Sequence, residues 1–232
     1  MEGDAVTQAS PPRKVRANGQ HARDKILLAA LELFSKKGYA GTSVRDVAGA
    51  AEVNLAAISY HFGDKAGLYQ AALHEFLADA GDDIPAFDTP GLTLQELLRR
   101  YMRVCLRPLG MGRPALLSVQ LRVREFIEPT GLLESLTAER DQAYALLLGI
   151  LTGHFGLDAP DDELEALAFS IFAFVGNLYS AQDHLASRRP ALLDAPGAAG
   201  AWEDRFTAYA YAMVSVESER RKAAAHATPR PA

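Results

Sequence analysis

Between Thr42 and Tyr69 the chain reads TSVRDVAGAAEVNLAAISYHFGDKAGLY, and its side chains suit a nucleic-acid groove better than a catalytic centre. Leu55, Ala56 and Ala57 have no hydrogen-bonding side chains, so a surface made of them recognises bases mainly by apolar contact with thymine methyl groups. Guanine must then be read by Arg45, whose guanidinium carries a bidentate fork. These groups act together only if short helices present them on one side. Val44, Val47, Ala48 and Ala51 fall at i, i+3, i+4 and i+7, one apolar stripe, and Ser43 with Asp46 has the spacing of a capping box. Val53 plugs the turn that follows. Asn54 then caps a second helix in which Ile58 and Phe62 face inward, leaving Leu55, Ala56, Ala57, Ser59, Tyr60 and His61 outward. Two short helices on a tight turn, with a third directly after, make a helix-turn-helix DNA reader.

From about Ala22 to Leu77 the chain resembles the TetR family of bacterial transcriptional repressors. An amphipathic helix ends in KKGYAGTSVRDVA, the Val53 turn follows, and the aromatic signature SYHF leads into GDKAGLY. The resemblance places Ser43, Asn54, Tyr60, His61 and Lys65 at or near DNA phosphates, where such groups fix register without reading sequence. One residue departs from the family pattern: Glu52 stands where a glycine is usual. A non-glycine residue at positive φ costs on the order of 1 kcal/mol, so either the turn adapts or strain is stored there.

The net charge of −5 is unevenly divided. From Arg13 to Arg45 eight Lys or Arg residues, Arg23 among them, stand against Asp24 and Glu32, whereas from Phe76 onward acids outnumber bases by 21 to 15. Phosphate neutralisation needs only the docking surface to be positive, and an acidic remainder discourages sequence-blind adsorption. At 232 residues the chain can hold a small DNA reader and a larger bundle. The N-terminal twenty residues have no apolar core of a secretory signal, and the longest apolar run, Ala166 to Tyr179, is too short to span a bilayer. No membrane association and a cytoplasmic location are expected. Strand alternation is nearly absent, which points to an all-α chain.

Punctuation divides that chain into a basic disordered arm (1–20), the three-helix DNA-binding domain (21–67), a helical effector-binding and dimerisation domain (68–222) and a disordered tail (223–232). The first helix buries Ile26, Leu27, Ala30, Leu31 and Phe34 and stops at Gly38. A fourth helix, capped by Asp64, runs to about Asp79. The second domain has five helices: Thr93, another capping box with Glu96, to Leu106 or Arg107; Pro114 to Ile127; Thr130 to Phe155; Asp161 to about Ser187; and Ala201 to Lys222.

In the fourth of these, Leu164, Leu167, Ala168, Ile171, Phe172, Val175, Leu178, Tyr179 and Leu185 give an apolar surface wider than one seam. In the last, Trp202, Phe206, Tyr209, Met213 and Val216 form one stripe. A helix apolar nearly all round is covered on both sides, and the resemblance implies a second copy on one of them: a homodimer with the Ile171 to Leu178 face and the Trp202 to Val216 stripe at its interface. It also implies a small-molecule effector site. Tyr101, Cys105, Met111, Leu116, Leu117, Gln120, Arg124, Phe126, Tyr144, Phe169, Phe172 and Asn177 supply an apolar, aromatic lining with a few polar groups. The segment REFIEPTGLLESL looks like the C-terminal domain of the CecR subgroup.

Other chemistries find little support. An enzyme would need a nucleophile beside a base, which the sequence does not show. Cys105 between Val104 and Leu106 reads as a small buried hydrophobe rather than a redox sensor. His154, His184 and His226 lack two-ligand spacing, so neither metal nor cofactor is expected. The glycines at 110 and 112 follow no strand and read as a loop, and Asp161-Asp162-Glu163 as helix-start charge favoured by the macrodipole. A ligand-responsive repressor on a near-palindromic operator is the reading these features favour. An enzyme of the second-domain cavity and a helical interaction module with a vestigial reader are the alternatives.

Overall fold

A computed structural model describes residues 13–76, 87, 90–132 and 134–227, with side chains from residue 19 onward except 134–141 and 227. Its helices are α1 (Arg13–Lys37), α2 (Val44–Ala51), α3 (Leu55–Phe62), α4 (Lys65–His74), α5 (Leu94–Leu106), α6 (Arg113–Ile127), α7 (Glu134–Phe155), α8 (Asp162–Ser180), α9 (Gln182–Arg188), α10 (Ala191–Asp194) and α11 (Ala198–Ala227). No strand occurs among the described residues. The chain divides into two compact units, 1–75 and 76–232, so α4 belongs wholly to the first; a division at Leu68 would cut it.

In the first unit Ile26, Leu27, Ala30, Leu31 and Phe34 of α1 are buried with Val47, Ala48 and Ala51 of α2, Ile58 of α3 and Leu68, Tyr69, Ala72 and Leu73 of α4. Gly38, at φ 73°, ends α1, its N–H donating to the Phe34 carbonyl over 2.9 Å. The expected arm differs: α1 already begins at Arg13, while residues 1–12 lie outside the described ones. The α4 helix ends at His74, and the expected extension to Asp79 also leaves the described residues.

The core of the second unit joins Leu98, Tyr101, Met102 and Leu106 of α5 to Leu147, Ile150 and Leu151 of α7. Leu164, Ala168, Ile171, Val175, Leu178 and Tyr179 of α8 and Phe206, Ala210 and Val214 of α11 complete it. Ion pairs clasp α11 at both ends. Arg103 of α5 donates to Glu203 over 3.0 and 3.1 Å and Arg99 pairs with Asp204, while Arg221 donates to Asp161, the N-cap of α8, over 2.6 and 2.8 Å.

In the second unit several helix boundaries depart from the sequence reading, and α11 starts at Ala198 instead of Ala201. The helix expected over Asp161 to Ser187 breaks at Ala181 into α8 and α9, bent by 62°, and Gln182 is buried with its amide donating to the Leu116 carbonyl over 3.2 Å. That bond turns the chain back over α6, a long-range demand with no local signal. Thr130 does not open a helix. Its N–H and hydroxyl both donate to the buried Glu125 carboxylate over 2.8 Å, so it closes the turn after α6. The last helix continues through Ala223 to Ala227 instead of ending at Lys222, as a run of strong helix formers allows. Residues 228–232 lie outside the described ones. No single helix among the described residues is long and apolar enough to cross a membrane.

Candidate nucleic-acid interface

The helices α2, α3 and α4 each begin at a side-chain cap. The Ser43 hydroxyl accepts from Asp46 N–H while the Asp46 carboxylate accepts from Ser43 N–H, both over 3.1 Å, and the Ser43 hydroxyl and N–H beside that carboxylate lower its pKa. The Asn54 amide oxygen accepts from Ala57 N–H, and the Asp64 carboxylate from Gly67 N–H, each over 2.8 Å. Between α2 and α3, Glu52 sits at φ 57° and ψ 42°, in the left-handed region, and the Val53 N–H reaches the Ala48 carbonyl over 3.0 Å. The turn therefore keeps the backbone that glycine favours and stores the strain of a side chain in it. Gly67 is needed for a different reason. A Cβ there would lie 2.2 Å from the Phe62 carbonyl oxygen, so the close approach of α4 to the end of α3 permits no side chain.

On this frame Arg45, Leu55, Ala56, Ser59 and Tyr60 are exposed, Tyr60 to 84%, and Ala57 and His61 are half-buried. An 84% exposed tyrosine has no role in a core, and its ring meets His61 edge-on at 4.9 Å. The Lys65 ammonium lies 4.2 Å above the Tyr39 ring, and Tyr39 meets Tyr69 edge-on at 5.0 Å. All three residues stand in the motifs KKGYAGTSVRDVA and GDKAGLY, but the ring under the cation is a tertiary contact across 26 positions of chain. Ile58 is fully buried as the spacing requires, whereas Phe62 is half-buried with the Arg23 guanidinium 5.1 Å above its ring. Arg23 also forks onto Glu75, Nη2 donating to Oε2 over 2.7 Å and Nη1 to Oε1. The sequence count had placed Arg23 with the phosphate-neutralising cations. Its partner lies 52 positions away, out of reach of any pattern.

The residues expected to line an effector site are not brought together as one set. Tyr101 is buried, and its hydroxyl, close to the Cys105 thiol, has no aligned hydrogen-bond partner. The Tyr179 hydroxyl donates to the Cys105 carbonyl over 2.9 Å, and burial pushes the half-buried thiol up to about 12, away from the thiolate form. Tyr144 meets Phe172 edge-on at 5.8 Å and donates to the Glu165 carboxylate over 2.7 Å; burial pushes this phenol up to about 12. On α6, Gln120 donates to Asp183 over 3.4 Å and Arg124 to Glu128 over 3.0 Å. Phe169 and Phe126 are 61% and 51% exposed and Asn177 is exposed, so these three are not interior lining. Helical spacing identifies an apolar face but not which of two covers it receives.

The same ambiguity corrects the expected interface. Ile171, Val175, Leu178 and Phe206 are buried within the unit's own core, while Tyr209 and Val216 of the expected stripe are exposed, as are Phe169 and Tyr211. Beside them a groove of about 390 Å³ runs between these helices, floored by Ala166, Leu167, Ala212 and Met213 and ended by Glu163, Glu217 and Arg220. No group of acidic, His or Cys side chains able to hold a metal occurs among the described residues.

Residues 26–72 match the model of the bacterial regulatory proteins of the tetR family, and residues 94–215, over half of the chain, that of the C-terminal domain of the HTH-type transcriptional dual regulator CecR. The probable HTH-type transcriptional regulator YttP of Bacillus subtilis is 50% identical over 54 residues, 23% of this chain and 26% of YttP. An HTH-type transcriptional repressor of Mycobacterium tuberculosis is 33% identical over 106 residues, 46% of this chain and 56% of the relative. These matches thus span about a quarter to just over half of the curated relatives' length. Among solved structures, AibR in complex with isovaleryl coenzyme A and operator DNA has a TM-score of 0.58 at 22% identity, over 81% of this chain and 96% of its own. A TetR-like regulator from Rhodococcus has a TM-score of 0.56 at 22% identity, over 87% and 97%. At these identities the likeness shows a shared fold. With both units matched by family models, the chain belongs to the TetR family of transcriptional regulators and carries a CecR-type C-terminal domain.

Proposed function

We propose that this regulator is a ligand-responsive repressor, a homodimer that binds a near-palindromic operator and releases it when a small molecule occupies the second unit. The observation that carries the reading is the α2–α3 face: capped, tightly turned, and exposing Arg45, Leu55, Ala56, Ser59 and Tyr60. Leu55, Ala56 and Ala57 would meet thymine methyls and Arg45 a guanine, while Ser43, Asn54, Tyr60, His61 and Lys65 would hold phosphates. The exposed Phe169, Tyr209 and Val216 and the groove beside them support pairing of two copies through α8 and α11. Two readers on one symmetric body then meet half-sites one helical turn, about 34 Å, apart, and effector binding favours a separation that no longer matches. The buried, unpartnered Tyr101 hydroxyl is a group that an effector could satisfy.

The matched C-terminal model is that of a dual regulator, which favours activation at some operators as a second reading. A mobility-shift assay against the DNA upstream of the chain's own gene, with and without metabolite extracts, tests the proposal. Specific binding weakened by extract is expected; absence of specific binding would overturn it. A promoter reporter then separates repression from activation.

A further inference from the structure

The recognition helix is anchored to its scaffold by two inward side chains, and only one of them is covered by the core. Ile58 is fully buried, but Phe62, the last residue of α3, is half-buried, and the group over its ring is the Arg23 guanidinium at 5.1 Å. Arg23 belongs to α1, and it is pinned by the fork onto Glu75, which caps the C-terminus of α4 and is the last residue of the first unit. At its carbonyl Phe62 is equally confined: Asp64 N–H donates to it over 3.0 Å, and Gly67 approaches too closely for a Cβ. One cation thus ties the end of the recognition helix to the end of α4. The three groups come from separate helices, so the fork and the ring contact together set the tilt of α3 on α1 and α4.

On the reading that α3 enters a DNA groove, we infer that Arg23 is a positioning residue for operator recognition, acting through Phe62 and Glu75, and not one of the phosphate contacts that its place in the basic N-terminal segment suggests. Its charge is already matched by Glu75, so its removal changes the aim of α3 without changing the number of phosphates neutralised.

These two roles differ in salt dependence. The probe is a DNA half-site selected from random sequence by the parent protein, titrated by fluorescence anisotropy over a series of KCl concentrations. Arg23→Gln and Glu75→Gln are each expected to weaken binding about three- to tenfold, with the slope of log affinity against log salt unchanged. Arg23→Lys, which keeps the charge but loses the fork, falls between them and the parent. The exchanged pair Arg23→Glu with Glu75→Arg recovers part of the loss, which a mere loss of packing would not allow. Equal binding by Glu75→Gln and the parent overturns the inference, as does a slope reduced by roughly 1 in Arg23→Gln, the signature of a lost phosphate contact. A parent that selects no DNA at all overturns the operator-binding reading itself, an outcome distinct from parent and variants binding alike.

Discussion

In the first unit Ser43, Asn54 and Asp64 each cap the helix that follows with a bond to the residue three positions on, while in the second α11 is clasped by Arg99 and Arg103 from one side and by Asp161 from another. The first set of bonds closes within a turn of chain; the second joins residues 60 to 105 positions apart. The contrast separates two kinds of specification. Short-range caps make the reader's helices start where the code of residue types says they start. Long-range clasps decide which face of an apolar helix is interior, and α8 illustrates the consequence: Val175 and Phe169 look equivalent as apolar positions, yet one is 8% exposed and the other 61%.

The largest expected effect tests that distinction directly. Val175→Glu places a carboxylate in the core of the second unit and should destabilise it by about 3 kcal/mol or more, read as a collapse of its thermal transition. Phe169→Glu should leave the melting of an isolated copy nearly unchanged and shift the sedimenting species from dimer to monomer. If Val175→Glu stayed folded while losing only dimerisation, the assignment of the two faces would be reversed.

Next in size is the reader's proposed base contact. Arg45→Ala should cost about 1–3 kcal/mol and relax selectivity at one G·C pair alone, as measured by half-site selection on random DNA. A variant with the parent's guanine preference would assign that selectivity to DNA shape.

Smaller again is the strained turn. Glu52→Gly should raise the first unit's stability in urea by about 0.5–1 kcal/mol, because glycine accepts φ 57° without a Cβ penalty. Glu52→Ala keeps the penalty and should bring no such gain. Equal stabilisation by both variants would argue that the turn carries no strain.

The smallest effect belongs to the clasp of α8 and α11. The Arg221 guanidinium and the Leu164 N–H hold Asp161 down at about 2, below its ordinary 3.8. A carboxylate with a depressed folded pKa stabilises above its unfolded value, and that contribution is lost as pH falls from about 4 through about 2. Carboxyl NMR titration should place Asp161 near that low value and move it upward in Arg221→Ala; an unmoved titration would leave the ion pair without effect.

Much of the reader was legible in the residue order. The capping boxes at Ser43 and Thr93, the Asn54 and Asp64 caps, the stripe of α1 and the turn at Glu52 all depend on atoms within a few positions of one another, and the structure contains each of them. The family of the first unit followed from its own motifs, and the CecR likeness of the second from the segment REFIEPTGLLESL. Thr130 marks where local reading fails, since an apparent helix start is captured by Glu125, five positions back.

The sequence by itself determined an all-α chain, the starts of the short capped helices and the exposure of Leu55, Ala56, Ser59 and Tyr60, because backbone capping and helical periodicity are set by neighbours. Only the tertiary structure decided that Arg23 serves Glu75 and Phe62, that the apolar helix after Asp161 bends at Ala181, and that Phe169 rather than Val175 faces outward. Those outcomes depend on which distant helix competes for a side chain, and periodicity records that a face is apolar without recording what covers it.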